Sequence, residues 1–127
     1  MGPIWLSTEL VQAMHLRQLS EHGGGAGIRD LGLLDSALQR PINKAAYGEA
    51  ELADLAAAYA YGIARNHPFI DGNKRTALVA SFTFLYLNGW VMNSSQIENV
   101  QTFLALAAGT CSEDQLAAWF KQHMRKT

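Results

Sequence analysis

The chain has 127 residues, 49% of them apolar and 17% charged, which suits one packed core and excludes a disordered segment. Ten basic residues against eleven acidic ones leave no basic excess or stripe of the kind that tracks nucleic acid, and Lys74 with Arg75 is too small a cluster for that purpose. Cys111 is the only cysteine, so no intrachain disulfide forms, and it reads as a small half-buried hydrophobe.

In chain order, Met-Gly-Pro-Ile-Trp-Leu-Ser has neither a basic lead nor a long apolar run and does not read as a signal peptide. No stretch approaches the roughly 18 uninterrupted apolar residues of a membrane helix, so the cytoplasm is the expected location. Ser7 is a candidate cap for a helix carrying Leu10, Val11 and Met14 at helical spacing to Glu21. Four glycines between Gly23 and Gly27 force a loop. Asp30 caps a short helix with Leu31, Leu34 and Leu38 on one face, and Pro41 is expected to end it. Residues 41–50 then read as an exposed connection.

Leu52, Leu55, Ala56, Tyr59 and Ile63 form a clear stripe ending near Asn66, where Pro68 stops the helix just after His67. A second long helix begins near Asn73 and runs to Asn88, with Gly89 as its stop. Its uncharged run, apolar on nearly all sides, places residues 74–88 at the centre of the bundle. Trp90–Asn93 is a brief extended link, too short to imply a sheet. Ser95 opens a helix closed by Gly109. Ser112-Glu113-Asp114-Gln115 is a capping box for a last helix that buries Leu116, Trp119, Phe120 and Met124. Lys121, Arg125 and Lys126 read as last-turn charges complementing its dipole. The expected fold is all-α: a single domain over residues 1–127, a compact bundle of about six helices around a central buried helix.

The loop between the two long helices breaks the pattern. His67-Pro68-Phe69-Ile70-Asp71-Gly72-Asn73-Lys74-Arg75-Thr76 places an imidazole, a carboxylate, two cations and an amide between the most apolar helices of the chain. Its second half opens a helix whose free N–H groups and partial positive charge suit a phosphate, and Gly72 lets the backbone approach one closely. Lys74 and Arg75 can neutralise phosphate oxygens, and Asp71 is a hard oxygen ligand for magnesium shared with a nucleotide. His67, with an ordinary pKa of about 6.5, can take a proton from an attacking hydroxyl. Phe69 is expected to turn inward and hold the loop to the core. Each residue also has a plain structural reading: His67 at the surface, Asp71 as a cap, Lys74 and Arg75 as solvated charges. Two cations in a first turn, however, oppose the helix dipole, and a bound anion would resolve that conflict.

The run His67–Arg75 resembles the signature H-x-F-x-[D/E]-G-N-(G/K)-R of the Fic/Doc superfamily, and Arg65-Asn66 and Thr76-Ala77 flank it in the usual way. Gly32-Leu33-Leu34-Asp35-Ser36-Ala37-Leu38 resembles a second stretch of its Doc (death-on-curing) branch. The likeness spans roughly residues 5 to 125. It implies the Fic/Doc fold. Most of the superfamily transfers AMP from ATP to a protein hydroxyl. Its usual signature has glycine where this chain has Lys74, and a second arginine where this chain has Leu78. Both departures are those of the Doc branch, toxins of type II toxin–antitoxin systems that pass the γ-phosphate of ATP to elongation factor Tu and stop translation. By this resemblance His67 is the base, Asp71 holds Mg2+, and Gly72, Asn73, Lys74 and Arg75 cradle the phosphates. Residues 41–50 would be the flap that docks the target, and a small Phd-like antitoxin would be the inhibitory partner.

Ser94-Ser95-Gln96-Ile97-Glu98-Asn99 fits the family's inhibitory pattern (S/T)-x-x-x-E-(G/N). Ser95 and Glu98 fit a capping box equally well, and their place after the second long helix favours the cap. The competing functions are AMP transfer, a non-catalytic antitoxin-binding partner within a repressor complex, and a ribonuclease built on His67, Lys74 and Arg75. Lys74 and Leu78 speak against the first, intact His67 and Asp71 against the second. The balanced charge speaks against the third.

Overall fold

Helices start where a side chain can accept from a backbone N–H that has no partner within the helix. In the computed structural model, which describes residues 2–127, α1 (Thr8–His22) begins at Ser7, whose Oγ accepts from Leu10 N–H at 3.1 Å. Asp30 does the same for α2 (Leu31–Tyr47) through Leu33 N–H at 3.0 Å. At α3 (Leu52–Asn66) the N–H of Glu51 donates to the Asp54 carboxylate at 2.9 Å. The exception is α4 (Asn73–Leu87), which starts at Gly72 with no side-chain cap. Reciprocal boxes open α5 (Gln96–Ala108), through Ser95 and Glu98, and α6 (Glu113–His123), through Ser112 and Gln115.

The architecture is all-α, with one helix surrounded by the others, but that helix is α3 rather than residues 74–88. Ten of the fifteen residues of α3 are buried, against seven of fifteen in α4, and α3 packs on α2, α4 and α6. Size explains the exchange. The alanines of α3 admit neighbours on several sides, whereas Tyr86 and Leu87 of α4 reach solvent. Gly62 marks a close approach: a Cβ there would stand 3.1 Å from Ala37 Cα of α2. Around this axis Val11, Leu34, Leu55, Tyr59, Ile63, Phe69, Phe84, Phe103, Leu106, Leu116 and Phe120 form one continuous core. Trp119 and Met124 are half-buried at its edge.

Pro41 does not end α2. It lies inside the helix, buried, and the chain stays helical to Tyr47, so the exposed connection shrinks to the residues between Tyr47 and Leu52. A proline in a helix interior forfeits one hydrogen bond and costs about 3 kcal/mol in isolation. Here its ring is buried on the same face as Leu34 and Leu38. One turn later Lys44 is tied to Glu113 of α6 at 2.6 Å, as Arg40 is at 2.8 Å. Tertiary contacts of this kind outweigh the local preference.

The link after α4 is also more than a link. Trp90–Met92 (β1) pairs antiparallel with Met124–Lys126 (β2), Trp90 opposite Lys126 and Met92 opposite Met124. Two three-residue strands so far apart in sequence give no alternation to read. Arg125 and Lys126 therefore lie in β2 rather than in a last helical turn, with the Lys126 ammonium 5.7 Å from the centre of the Trp90 ring. Lys121 alone is in the last turn of α6, and it faces Glu51 and Asp54 at the start of α3, at 3.5 and 3.8 Å. Cys111 is half-buried and burial raises its thiol pKa, in keeping with a small hydrophobe. No helix among the described residues is long and apolar enough to cross a membrane.

Candidate active site

The turn from α3 into α4 is built by a left-handed residue at each end. His67, which follows the last residue of α3, has φ 50° and ψ 56°, and is the only non-glycine residue with positive φ among those described. Gly72, which precedes α4, has φ 78°. Between them Phe69 is buried and stacks on His15 of α1, ring centres 3.8 Å apart, so it does hold the loop to the core.

His67, Asp71, Gly72, Asn73, Lys74 and Arg75 all line one cavity of about 360 Å³, together with Ile70. The imidazole of His67 is exposed, Lys74 is half-buried and Arg75 is exposed. The first intrahelical bond of α4 runs from Thr76 N–H to Gly72 O, leaving the N–H groups of Asn73, Lys74 and Arg75 without an acceptor among the described residues. Neither Lys74 nor Arg75 has an acidic partner among the described residues. Free donors, a helix N-terminus and two cations without acidic partners thus meet at one cavity, an arrangement whose charge and donors suit an anion.

The side chain of Asn73 has a different task. It is buried, its Oδ1 accepts from Phe69 N–H and its Nδ2 donates to Phe69 O, both at 2.9 Å. It brackets the loop from within. Asp71 spends Oδ1 on Gly72 N–H at 2.8 Å. Its other oxygen has no hydrogen-bond donor from the protein, and no group of three His, Cys, Asp or Glu residues among those described could cage a metal. One carboxylate beside a phosphate site fits a magnesium ion that takes its remaining ligands from phosphate oxygens and water.

A larger cavity of about 480 Å³ lies between α2, α3 and α6, lined by Arg40, Lys44, Tyr61, Ser112, Glu113 and Asp114. Size does not make it the site. Its two cations are already paired with Glu113, and the Arg40 guanidinium rests on the Tyr61 ring.

Residues 5–85 match the Fic/DOC family. The chain belongs to that family. It is 40% identical over 101 residues to "Toxin Doc" of Mycolicibacterium smegmatis, covering 76% of this chain and 77% of that one. It is 38% identical over 85 residues to "Protein kinase doc" of Escherichia phage P1, covering 66% and 68%. Both relatives place it on the Doc branch of the Fic/Doc superfamily.

Three supports of this Fic/Doc loop were not read from sequence. His15 is buried on the inner face of α1, and its Nε2–H donates to the Asp71 carbonyl at 2.7 Å. A histidine one turn after Val11, on the apolar side of α1, was the available signal. Second, the glycine-rich segment after α1 lies against the loop. A Cβ at Gly24, where φ is +120°, would stand 2.8 Å from Asp71 Oδ2, and one at Gly25 would crowd Ile70. Third, residues 27–30 run along the loop: Ile70 N–H donates to Gly27 O, Arg29 and Asp30 N–H donate to Pro68 O, and Ile28 pairs with Phe69. Glycine content announced a loop but not what it would touch.

Ser94–Asn99 is a cap. Glu98 N–H donates to Ser95 Oγ and Ser95 N–H to the Glu98 carboxylate, both at 3.1 Å, while His123 Nε2 lies 3.0 Å from the other carboxylate oxygen.

Proposed function

We propose that this chain is the toxin of a type II toxin–antitoxin pair, and that it acts as a protein kinase, passing the γ-phosphate of ATP to a hydroxyl of elongation factor Tu and so halting translation. The observation that carries the reading is the start of α4, uncapped and doubly cationic in a cavity shared with Asp71 and His67. The similarity to a toxin Doc and to a protein kinase doc supports it.

In this reading the N–H groups of Asn73, Lys74 and Arg75 and the two cations hold the phosphate chain, Gly72 lets it approach the backbone while its own N–H stays on Asp71, and the γ-phosphorus faces the acceptor. Such positioning and charge stabilisation supply most of the catalysis in phosphoryl transfer. A ring nitrogen of His67 accepts the hydroxyl proton as the oxygen bonds to the γ-phosphorus. The bond from that phosphorus to the β–γ bridging oxygen breaks, and ADP leaves with the electron pair. His67 then returns its proton to solvent. Asp71 would hold Mg2+, which neutralises charge on the phosphates when bound.

Transfer of AMP by the same base is the second reading. Leu78, at the position of the usual second arginine, is packed against the core and offers a phosphate nothing, which favours transfer from the γ position. Glu98 is committed to Ser95 and His123, so restraint is assigned to a partner, a Phd-like antitoxin. Cytoplasmic action and the absence of direct nucleic-acid contact belong to the same reading.

The test supplies purified elongation factor Tu, Mg2+ and ATP labelled on either the γ- or the α-phosphate. Label passing from the γ position alone is expected. Label from the α position would establish AMP transfer instead, and label from neither would remove elongation factor Tu as the substrate.

A further inference from the structure

Arg29 sits outside the signature, in the strap between α1 and α2, yet its guanidinium reaches the end of α3. Nε donates to His67 O at 2.7 Å and Nη2 to Asn66 O at 2.8 Å. Carbonyls at a helix C-terminus lack intrahelical partners and carry partial negative charge, so a cation there is favourable. The choice of carbonyls matters more. Asn66 O belongs to the peptide plane before the His67 Cα, and His67 O to the plane after it. One planar fork therefore fixes both planes that flank His67, which sets φ, ψ and with them the direction of its Cα–Cβ bond.

His67 needs such a grip. Its left-handed conformation is unfavourable for a non-glycine residue, and persists only where the surroundings impose it. The remaining strap bonds fall on Pro68 O and Ile70 N–H, beyond His67 itself. Lysine would not substitute, because a single ammonium lacks the rigid fork that spans two adjacent carbonyls.

We propose that Arg29 is a positioning residue for His67: it clamps the two peptide planes around the left-handed histidine and so aims the imidazole into the cavity. This rests on the reading of His67 as the base. The effect should fall on turnover, since misplacing a reacting group by about 1 Å can cost 100-fold, while the phosphate donors at α4 stay in place.

The experiment compares wild type with Arg29→Ala and Arg29→Lys in the γ-phosphate assay, alongside thermal unfolding and the NMR line shapes and relaxation of the His67 ring in histidine-labelled protein. In Arg29→Ala, kcat is expected to fall about 10- to 100-fold with KM for ATP changed less than about twofold. The His67 ring should become mobile, and added guanidinium should restore part of the rate. Arg29→Lys should recover little turnover while keeping the charge at the end of α3. A folded Arg29→Ala with unchanged kcat and an unchanged His67 ring overturns the proposal, as does a loss carried by KM alone. If wild type itself transfers no phosphate, the proposed activity fails. The ring measurement then still decides the clamp, because it needs no turnover.

Discussion

Two kinds of helix N-terminus coexist in this molecule. At α5 and α6 a serine caps the first turn, a Glu or Gln returns the bond, and acids fill the first turn: Glu98 in α5, Glu113 and Asp114 in α6. At α4 the cap is a left-handed glycine with no side chain, no acid follows, and Lys74 and Arg75 stand against the dipole. The first two are built to be stable alone; the third is built to be completed. The contrast, rather than cavity size, carries the proposal for α4, since the larger cavity adjoins one of the well-capped helices.

The largest effect expected from breaking this contrast is on rate. His67→Ala should lower γ-phosphate transfer by about 10²–10⁴-fold, the usual contribution of a general base. Its exposed imidazole should leave the unfolding midpoint nearly unchanged. Toxicity that persists in this variant would sink both transfer mechanisms and favour a binding role.

Asn73→Ala reverses the pattern, striking stability first. It strands the N–H and the C=O of buried Phe69, at about 1–3 kcal/mol for each unsatisfied group. Urea unfolding should show a loss of about 2–4 kcal/mol. A loss below about 1 kcal/mol would mean the loop does not depend on this bracket. Lys74→Glu sharpens the comparison from the other side. Exchanging a cation for an anion in the first turn should stabilise the protein without nucleotide by about 0.3–1 kcal/mol, while binding of ATP weakens sharply. A variant that loses both stability and ATP binding would contradict the view that α4 carries unresolved charge.

The same contrast explains what the sequence disclosed. Ser7, Asp30, Ser95 and Ser112 are local signals, each acting within three residues, and the helix starts they mark were legible without a structure. The unusual start of α4 was legible as a violation of those rules. What stayed hidden depends on distant partners. Pro41 is tolerated because its ring is buried and its helix is tied to α6, and the ribbon from β1 to β2 joins residues on either side of α5 and α6. The signature groups Asn73 with Gly72 and Lys74 without saying which of its atoms face a phosphate. Only the fold shows its amide turned inward to Phe69. Arg29 and His15 reach the loop from 38 and 56 residues away in sequence, beyond any motif.

The smallest effect belongs to the ordinary cap. The Ser95 N–H, then the Ser95 hydroxyl and last His123, hold the Glu98 carboxyl below the usual carboxylate range, against an opposing contribution from desolvation. A carboxyl depressed in the folded state binds its proton more readily once the chain unfolds. Its stabilisation is therefore complete above the unfolded value near 4.5 and is lost as pH falls through the lower folded value. Glu98→Gln keeps an acceptor for Ser95 N–H but no charge, so its deficit in unfolding midpoint should be small at pH 7 and should shrink further in acid. A deficit that is constant with pH would show that the charge of Glu98 contributes nothing. Because Glu98 is engaged with its own helix start and with His123, the same variant should leave phosphate transfer unchanged. A gain in transfer would instead restore Ser94–Asn99 as an inhibitory element, and α5 would no longer stand as the plain counterpart of α4.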